Sequence, residues 1–265
     1  MPKTKTNREK SMLIGERRLK IIDLLQDKGN VVVSQLSSLL SVTEETIRRD
    51  LEGLEKEGLL KRTYGGAIPT NKISFELSFK AREIEHKKEK KAIGKVAAAL
   101  IENGDALMFD ASTTSLEVAK EIEVKKRLTV ITSSLAVILE LIDKPEITVI
   151  STGGVFHSRS LSYIGPLAEK GVRNYYVDKM FLGAKGISIA GLTDSYEAEA
   201  QLKKAMIESA KETILVIDSS KFNKIALVNI APLEAISRVI TDSGISSRDR
   251  KLLIDQGIKV IVASN

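Results

Sequence analysis

The chain has 265 residues, enough for a small module and one larger domain. Hydrophobic residues make up 43% and charged residues 29%, an ordinary composition with material for a real core, and the absence of cysteine removes disulfides, thiolate metal sites and cysteine nucleophiles. Two histidines, His86 and His157, cannot supply a multi-histidine metal centre and read as surface or loop residues, while a net charge of +6 favours a polyanionic partner.

The first ten residues hold no apolar core and so no secretory signal, and no apolar run approaches the roughly 20 residues of a membrane span. A soluble, cytoplasmic protein with no membrane partner is expected, with no metal and no cofactor. Lys3, Lys5, Arg8, Lys10, Arg17, Arg18 and Lys20 make a basic arm suited to nonspecific phosphate contacts. Residues 16–28 carry Leu19, Ile21, Ile22, Leu24 and Leu25, an amphipathic helix closed by Gly29. Val31, Val32 and Val33 predict a short strand. Ser34 is placed to cap a second helix with Leu36, Leu39 and Leu40 inward, and Ser41-Val42-Thr43 is the tight turn of a helix-turn-helix.

The next helix organises the chain. Ile47, Leu51 and Leu54 share one side at i, i+4, i+7 spacing, so Glu45, Arg48 and Arg49 face the other way with Thr46 on the flank. Thr43 is its N-cap, and Glu44 and Glu45 suit the positive end of the helix dipole. Arginine pairs bidentately with guanine or clamps phosphate, and threonine and glutamate meet base edges, so this face fits a DNA major groove. Gly58 ends the helix. Residues 59–68 then read as a small hairpin with a glycine tip, placing Lys61, Arg62, Tyr64, Gly65 and Gly66 on a wing beside the phosphate backbone or minor groove. The order is that of a winged helix-turn-helix.

The run Thr46-Ile47-Arg48-Arg49-Asp50-Leu51, then Leu54-Glu55, Gly58, and Arg62-Thr63-Tyr64-Gly65-Gly66-Ala67, resembles the signature of the DeoR-type bacterial transcriptional repressors. Beyond it, residues 70–78 are polar with scattered Ile73, Phe75 and Leu77 and read as a linker, and the charged run 80–91 predicts a solvated helix leading into Ile93, Val96, Ala97, Leu100 and Ile101. The expected division is 1–69 for the DNA-binding domain, 70–92 for linker and connecting helix, and 93–265 for an effector domain.

From Gly104 short apolar strands alternate with helices. Strands are predicted at 106–109, 128–132, 147–151, 179–182, 213–217, 226–230, 238–240 and 260–262, and helices at 115–122, 136–142, 167–174, 197–210 and 246–256. Such alternation argues for a largely parallel α/β sheet with helices on both faces, whose ligands bind at the carboxyl ends of the strands. Four of those ends are rich in small polar residues: Asp110 with Ser112, Thr113 and Thr114; Ser133 with its neighbours; Gly153 with Gly154; and Asp218-Ser219-Ser220-Lys221. Each is also ordinary turn and cap chemistry, but together they point to a polar or phosphorylated ligand, with Lys221 as a point charge.

This half is similar to DeoR-type effector domains at residues 110–114, Gly153-Gly154, Phe181-Leu182-Gly183-Ala184, Gly191-Leu192-Thr193 and residues 218–222. The resemblance implies a ribose-phosphate-isomerase-like α/β domain that senses a phosphorylated sugar and releases operator DNA, with Gly183 and Lys185 among its effector contacts and a homo-oligomer as the working form. One position departs from the pattern: Ser112 stands where the family has glycine. The competing expectation is a sugar-phosphate isomerase with an accessory N-terminal module. Such isomerases are similar in carrying Gly-Ala-Asp-Glu where this chain has Gly183-Ala184-Lys185-Gly186, so the obvious acidic candidates for a general base are replaced, with Asp178, Asp194, Glu197 and Glu199 still nearby. A repressor without catalytic residues is the expected function.

Overall fold

The computed structural model describes residues 13–68, 78–123 and 126–264, and the chain divides into two compact units between residues 76 and 77. The arm residues Lys3, Lys5, Arg8 and Lys10 and the linker residues Ile73, Phe75 and Leu77 lie outside the described residues.

In the first unit, α1 (Ile14–Lys28) stops where Gly29 turns left-handed at φ 72°, its N–H donating to the Leu25 carbonyl at 3.0 Å. There follow β1 (Val31–Val32), α2 (Val33–Leu40), α3 (Glu44–Lys56), β2 (Lys61–Thr63) and β3 (Gly66–Ile68). Val33 already belongs to α2, which has no side-chain cap, so Ser34 sits exposed in the first turn instead of capping it. Leu36 and Leu40 are buried, whereas Leu39 is 62% exposed: a helix this short buries a single narrow stripe. Ile21, Ile22 and Leu25 of α1 and Ile47, Leu51 and Leu54 of α3 are among the unit's most buried side chains. The strands pair antiparallel in the order β1-β3-β2. Only glycine fits at position 66, because a Cβ there would lie 1.8 Å from the Val31 carbonyl oxygen.

The second unit starts with α4 (Phe79–Ile84) and α5 (Lys87–Ala98). The charged run thus forms two helices, broken where His86 adopts φ 49°, and it is not solvated throughout. Phe79, Ile93, Ala97 and Ala98 enter the core, and Gly94 lets α5 close on the backbone of Glu117. Next come β4 (Ala106–Phe109), α6 (Thr113–Lys120), β5 (Leu128–Thr132), α7 (Leu135–Leu141), β6 (Ile147–Ser151), β7 (Val155–His157), β8 (Ser162–Ile164), α8 (Pro166–Val172) and β9 (Val177–Leu182). The remainder is β10 (Gly186–Ser188), β11 (Gly191–Asp194), α9 (Glu197–Glu208), β12 (Ala210–Val216), β13 (Val228–Ala231), β14 (Arg238–Asp242), α10 (Ser247–Asp255) and β15 (Lys259–Ala263).

Seven strands make one parallel sheet in the order β15-β14-β12-β9-β4-β5-β6. Its central strands are apolar on both faces, as helices on both sides require. Leu107 and Phe109 of β4 pack with Phe181 and the α5–α6 side, with the two phenyl rings stacked at 5.1 Å, while Met108 and Met180 pack with Ala168, Ala200 and Met206 on the other. The segment predicted as a strand at 226–230 does not join this sheet. It shifts to β13 and pairs antiparallel with β11, beside β10, its exposed Asn229 next to buried Ile230 marking a one-sided strand. No helix among the described residues is long and apolar enough to cross a membrane.

Lys90 of α5 is 4% exposed, and its ammonium donates to the Arg82 carbonyl. Burial pushes its pKa down to about 8, with Asp218 opposing and Lys221 adding to the drop. A folded-state value below the usual 10.5 means that the native chain loses this proton first. The cost of the buried charge is therefore full below pH 8 and relieved as the pH rises towards 10.5. Lys90→Met should stabilise the unit at pH 7 by about 2 kcal/mol after the lost hydrogen bond, and the gain should fade through that window. Urea unfolding at pH 7 and above pH 10 checks this; a pH-independent difference contradicts it.

Candidate DNA reader and effector site

The reader is built on α3. Thr43 Oγ1 accepts the Thr46 N–H at 3.3 Å and bonds Thr46 Oγ1 at 2.9 Å, which closes the first turn. With Ile47, Leu51 and Leu54 at most 1% exposed, Glu45, Arg48 and Arg49 face outward. Each arginine is held by the acid one turn earlier: Arg48 Nη2 donates to Glu44 at 2.6 Å and Arg49 Nε to Glu45 at 3.3 Å. Exposed pairs of this spacing contribute only about 0.3–0.5 kcal/mol, so a base edge or phosphate can replace them at little cost. On the wing, Tyr64 and Gly65 form the open tip and Lys61 is exposed. Arg62 is tied down: its backbone N–H and Nε both donate to Glu55, at 2.8 and 2.7 Å, and together they hold that carboxyl below its usual range. Asp50, on the same helix, is buried between α3 and α1 against Arg17 and Arg18, a contact that the helix pattern did not single out.

Arg49→Ala should cost about 1–3 kcal/mol on a specific operator, whereas Lys61→Ala should weaken all sequences alike and lower the salt slope by about 1. Titrations of operator and scrambled duplex at several salt concentrations separate the two. Equal losses on both duplexes for Arg49→Ala would remove it from base reading.

The second site lies where the sheet changes direction. From the pair β4 and β9, chain order runs outward through β5 and β6 on one side and through β12, β14 and β15 on the other. This is a topological switch point, where open α/β sheets take their ligands at the carboxyl ends. At the end of β4, Asp110 Oδ1 accepts the Ser112 N–H at 3.2 Å and the Ser115 hydroxyl at 2.5 Å. Its Oδ2 accepts the Gly183 N–H at 3.0 Å and stands 3.3 Å from Lys203 Nζ. Ser112 caps α6 through Ser115 N–H at 3.1 Å, in an extended conformation open to any residue, so serine fits where the family pattern has glycine. Gly183 has no such freedom, since a Cβ there would lie 2.4 Å from Ser112 Oγ.

Lys203 of α9 completes this centre, its Nζ 2.6 Å from Asp194 Oδ2 and donating to the Gly183 carbonyl at 3.0 Å. Burial works against its charge, but Asp194, Asp110 and Glu199 outweigh that and hold the ammonium above the usual lysine range. One turn earlier, Glu199 accepts the Ser162 hydroxyl at 3.2 Å, and Ser162 connects through Ser160 to His157 Nδ1. His157 stacks on Tyr196 and stands 3.9 Å from Glu199, too far for a direct hydrogen bond. Burial raises the Glu199 carboxyl, yet its neighbour His157 and the charges of Lys203, Lys185 and Arg82 more than offset this and keep it ionised.

Asp110, Ser112 and Gly183 are therefore in direct contact, with Thr113 and Thr114 in the first turn of α6 and Ser133 buried at the end of β5. Lys185 follows β9, its N–H bonded to Thr193 O, and its charge reaches Glu199. Lys221 lies on a 3₁₀ turn beyond β12 and faces Asp218; burial opposes the Asp218 charge, and Lys221 helps to hold its carboxyl below the usual range. Gly153 and Gly154 follow β6, so like Lys221 they stand two strands from Asp110, roughly 10 Å at 4.8 Å per strand. They shape the turn into β7, with φ 65° and 113° and no room for a Cβ at Gly154 beside the Ile164 carbonyl. Asp178 bonds the Ala106 N–H at the opposite edge of the sheet and Glu197 is exposed, which leaves both outside the site. His157 and Lys203 are the members that sequence reasoning did not place there, whereas Glu199 was expected nearby as a possible acid.

A winged helix-turn-helix joined to an α/β sensor unit is the make-up of a transcriptional regulator. Residues 17–72 match the DeoR-like helix-turn-helix domain and residues 85–243 the DeoR C terminal sensor domain. The uncharacterized HTH-type transcriptional regulator YulB of Bacillus subtilis (strain 168) is 47% identical over 253 residues, spanning 94% of this chain and 96% of that one. The HTH-type transcriptional repressor GlcR of the same organism is 34% identical over 248 residues, spanning 93% and 95%. The chain belongs to the DeoR family of HTH-type transcriptional regulators. Among solved structures, ribose 5-phosphate isomerase A of Methanocaldococcus jannaschii aligns at 18% identity with a TM-score of 0.39, over 52% of this chain and 55% of that one.

Proposed function

We propose that the protein represses a carbohydrate-utilisation operon and leaves its operator when a phosphorylated sugar binds at the carboxyl ends of β4 and β9. The observation that carries this reading is the polar centre at the switch point, where Asp110, Ser112, Gly183 and Lys203 interlock beside the hydroxyls of Thr113, Thr114 and Ser133. Lys185 and Lys221 supply further positive charge along the same edge. The hydroxyls and ammonium groups offer an anion neutral and cationic contacts, and the carboxylates beside them are already engaged, Glu199 by the Ser162 hydroxyl at 3.2 Å. Both oxygens of Asp110 are engaged, and Asp194 is committed to the Ser195 N–H at 2.7 Å and to Lys203. An isomerase needs a carboxylate poised over the substrate's α-proton, so the regulator reading is favoured over catalysis.

DNA and effector are coupled thermodynamically, typically by about 1–3 kcal/mol, and operator must weaken effector binding by the factor with which effector weakens operator binding. A single reader module gives limited affinity, so a homo-oligomer on paired half-sites in the cytoplasm is the expected working form. Thr113→Ala and Lys221→Ala should still bind operator but need about tenfold or more effector for release. Operator binding titrated with a sugar and with its phosphorylated form tests the reading. Equal release of the wild-type protein by both forms, or wild-type response in both variants, would overturn it.

A further inference from the structure

Helix α4 is the first described element after the break between the units, so along the chain it stands between the effector centre and the reader. It is firmly docked. Phe79 is 3% exposed within the α5–α6 core, its N–H donates to the Arg159 carbonyl at 2.7 Å, and Glu83 approaches Lys120 of α6 at 3.4 Å. Arg82 lays its guanidinium over the Phe79 ring at 5.7 Å, and its carbonyl accepts the buried Lys90 ammonium.

The Arg159 end of this contact belongs to the tip between β7 and β8. The next residue, Ser160, bonds His157 at 2.8 Å and Ser162 at 2.7 Å, and Ser162 donates to Glu199. The tip is also stitched to the end of β5, through a bridge between Ser134 and Ser162 and through Tyr163 N–H to Ser133 O at 2.8 Å. The N-terminus of α4 therefore meets the same edge as the polar centre. The Arg82 charge is felt by both Glu199, which it helps to keep ionised, and Lys90, whose ammonium it disfavours. Arg159 adds an independent observation, because its Nε is buried and has no hydrogen-bond partner among the described residues. A guanidinium nitrogen in that state calls for an acceptor, and an anionic oxygen is one that would supply it.

Building on the sugar-phosphate reading above, we propose that Arg82 of α4 and Arg159 of the β7–β8 tip grip the effector's phosphate, so that the ligand itself fastens the helix that leads to the reader. Two planar forks suit a phosphate dianion, which accepts paired N–H donors from each. The same contacts make α4 the element whose position depends on occupancy. Glu199, which Arg82 helps to keep ionised, balances that charge when the site is empty and accepts sugar hydroxyls when it is filled.

The test uses the full chain and, as probe, whichever member of a hexose- and triose-phosphate panel gives the largest thermal shift with the wild type. Calorimetry should show Arg82→Ala and Arg159→Ala each binding that probe about tenfold more weakly or worse, with Arg82→Lys in between, since an ammonium keeps the charge and loses the fork. Amide exchange over residues 79–84 should slow on adding the probe to wild type and stay unchanged in Arg82→Ala. Wild-type affinity in Arg82→Ala and Arg159→Ala, with binding lost in Thr113→Ala, overturns this inference and leaves the effector reading standing. Undiminished binding in all three, or no binding by the wild type to any panel member, overturns both. If Arg82→Ala misfolds, the Arg82→Lys and Arg159→Ala pair decides alone: wild-type affinity in both rejects the clamp.

Discussion

Lys203→Met should destabilise the effector unit by about 3–5 kcal/mol, the cost of leaving buried charges without their partner. Asp110 and Asp194 are 1% and 0% exposed, and the ammonium stands 3.3 and 2.6 Å from them. Methionine nearly matches the length of lysine, so the loss is electrostatic and not a matter of an empty cavity. Two carboxylates would then share one dry site, and at least one must take up a proton or draw in water. Adding Asp194→Asn should recover part of the loss, because the remaining acid, Asp110, keeps its bonds from Ser112, Ser115 and Gly183. Amide-exchange protection of β4 and β9 reads the stability of this unit directly, and a double-mutant cycle isolates the pair. A loss under about 1 kcal/mol for Lys203→Met alone would show that the ion cluster does not hold the switch point together.

The strand ends of this unit were legible because parallel central strands are continuous apolar runs and their ends are not. Residues 106–109 followed by Asp110 and Ser112 mark both the strand and the turn, and β4 begins and ends as predicted. The polar members that arrive from helices were not legible. Lys203 sits in a run of glutamate, lysine and alanine that reads as a solvated face, yet Glu199 and Lys203 lie one turn apart on the stripe shared with Ala200 and Met206. The available signal was that spacing: charges of opposite sign in register with buried residues. β7, β8, β10 and β11 are short and, unlike β4, lack a continuous apolar run, so the hairpin carrying Arg159 and Ser162 was invisible.

In the reader the apolar stripe of α3 decided almost everything. Its spacing fixed which residues face out, its threonine fixed where the helix starts, and both features stand in the structure. Position 34 went the other way. Serine before an apolar helix is a strong cap signal, but here β1 passes into α2 without a break and extended Val32 occupies the cap position, which leaves Ser34 two positions too late. Local preference lost to the pairing of β1 with β3. The charged run of α4 and α5 misled for a related reason: Lys90 and Phe79 are buried by what packs over them, and neighbours distant in sequence leave no mark on a local pattern.

Asp50→Ala should cost the reader about 3–5 kcal/mol and remove specific operator binding, although Asp50 itself faces away from DNA. The acid is 3% exposed, with Oδ2 2.5 Å from Arg17 Nε and Oδ1 3.2 Å from Arg17 Nη2, while Arg18 Nε lies 3.5 Å away. Arg17 is itself buried, its side chain 8% exposed, so truncation of Asp50 takes away the carboxylate that faces its guanidinium in the core between α1 and α3. A bidentate fork also fixes orientation, not distance alone. Each helical residue turns about 100°, so pinning position 50 to α1 sets the directions in which Arg49 and Arg48 leave the helix. Any roll of α3 that frees Asp50 swings both out of register with the groove. Asp50→Asn keeps the shape and part of the hydrogen bonding, so it should lose less stability than alanine while still lowering operator affinity. Amide exchange over residues 44–56 reports the stability, and operator titration below the melting range reports the orientation. If Asp50→Ala keeps both within about 1 kcal/mol of wild type, the ion pair is ornamental and the apolar stripe alone holds the recognition helix.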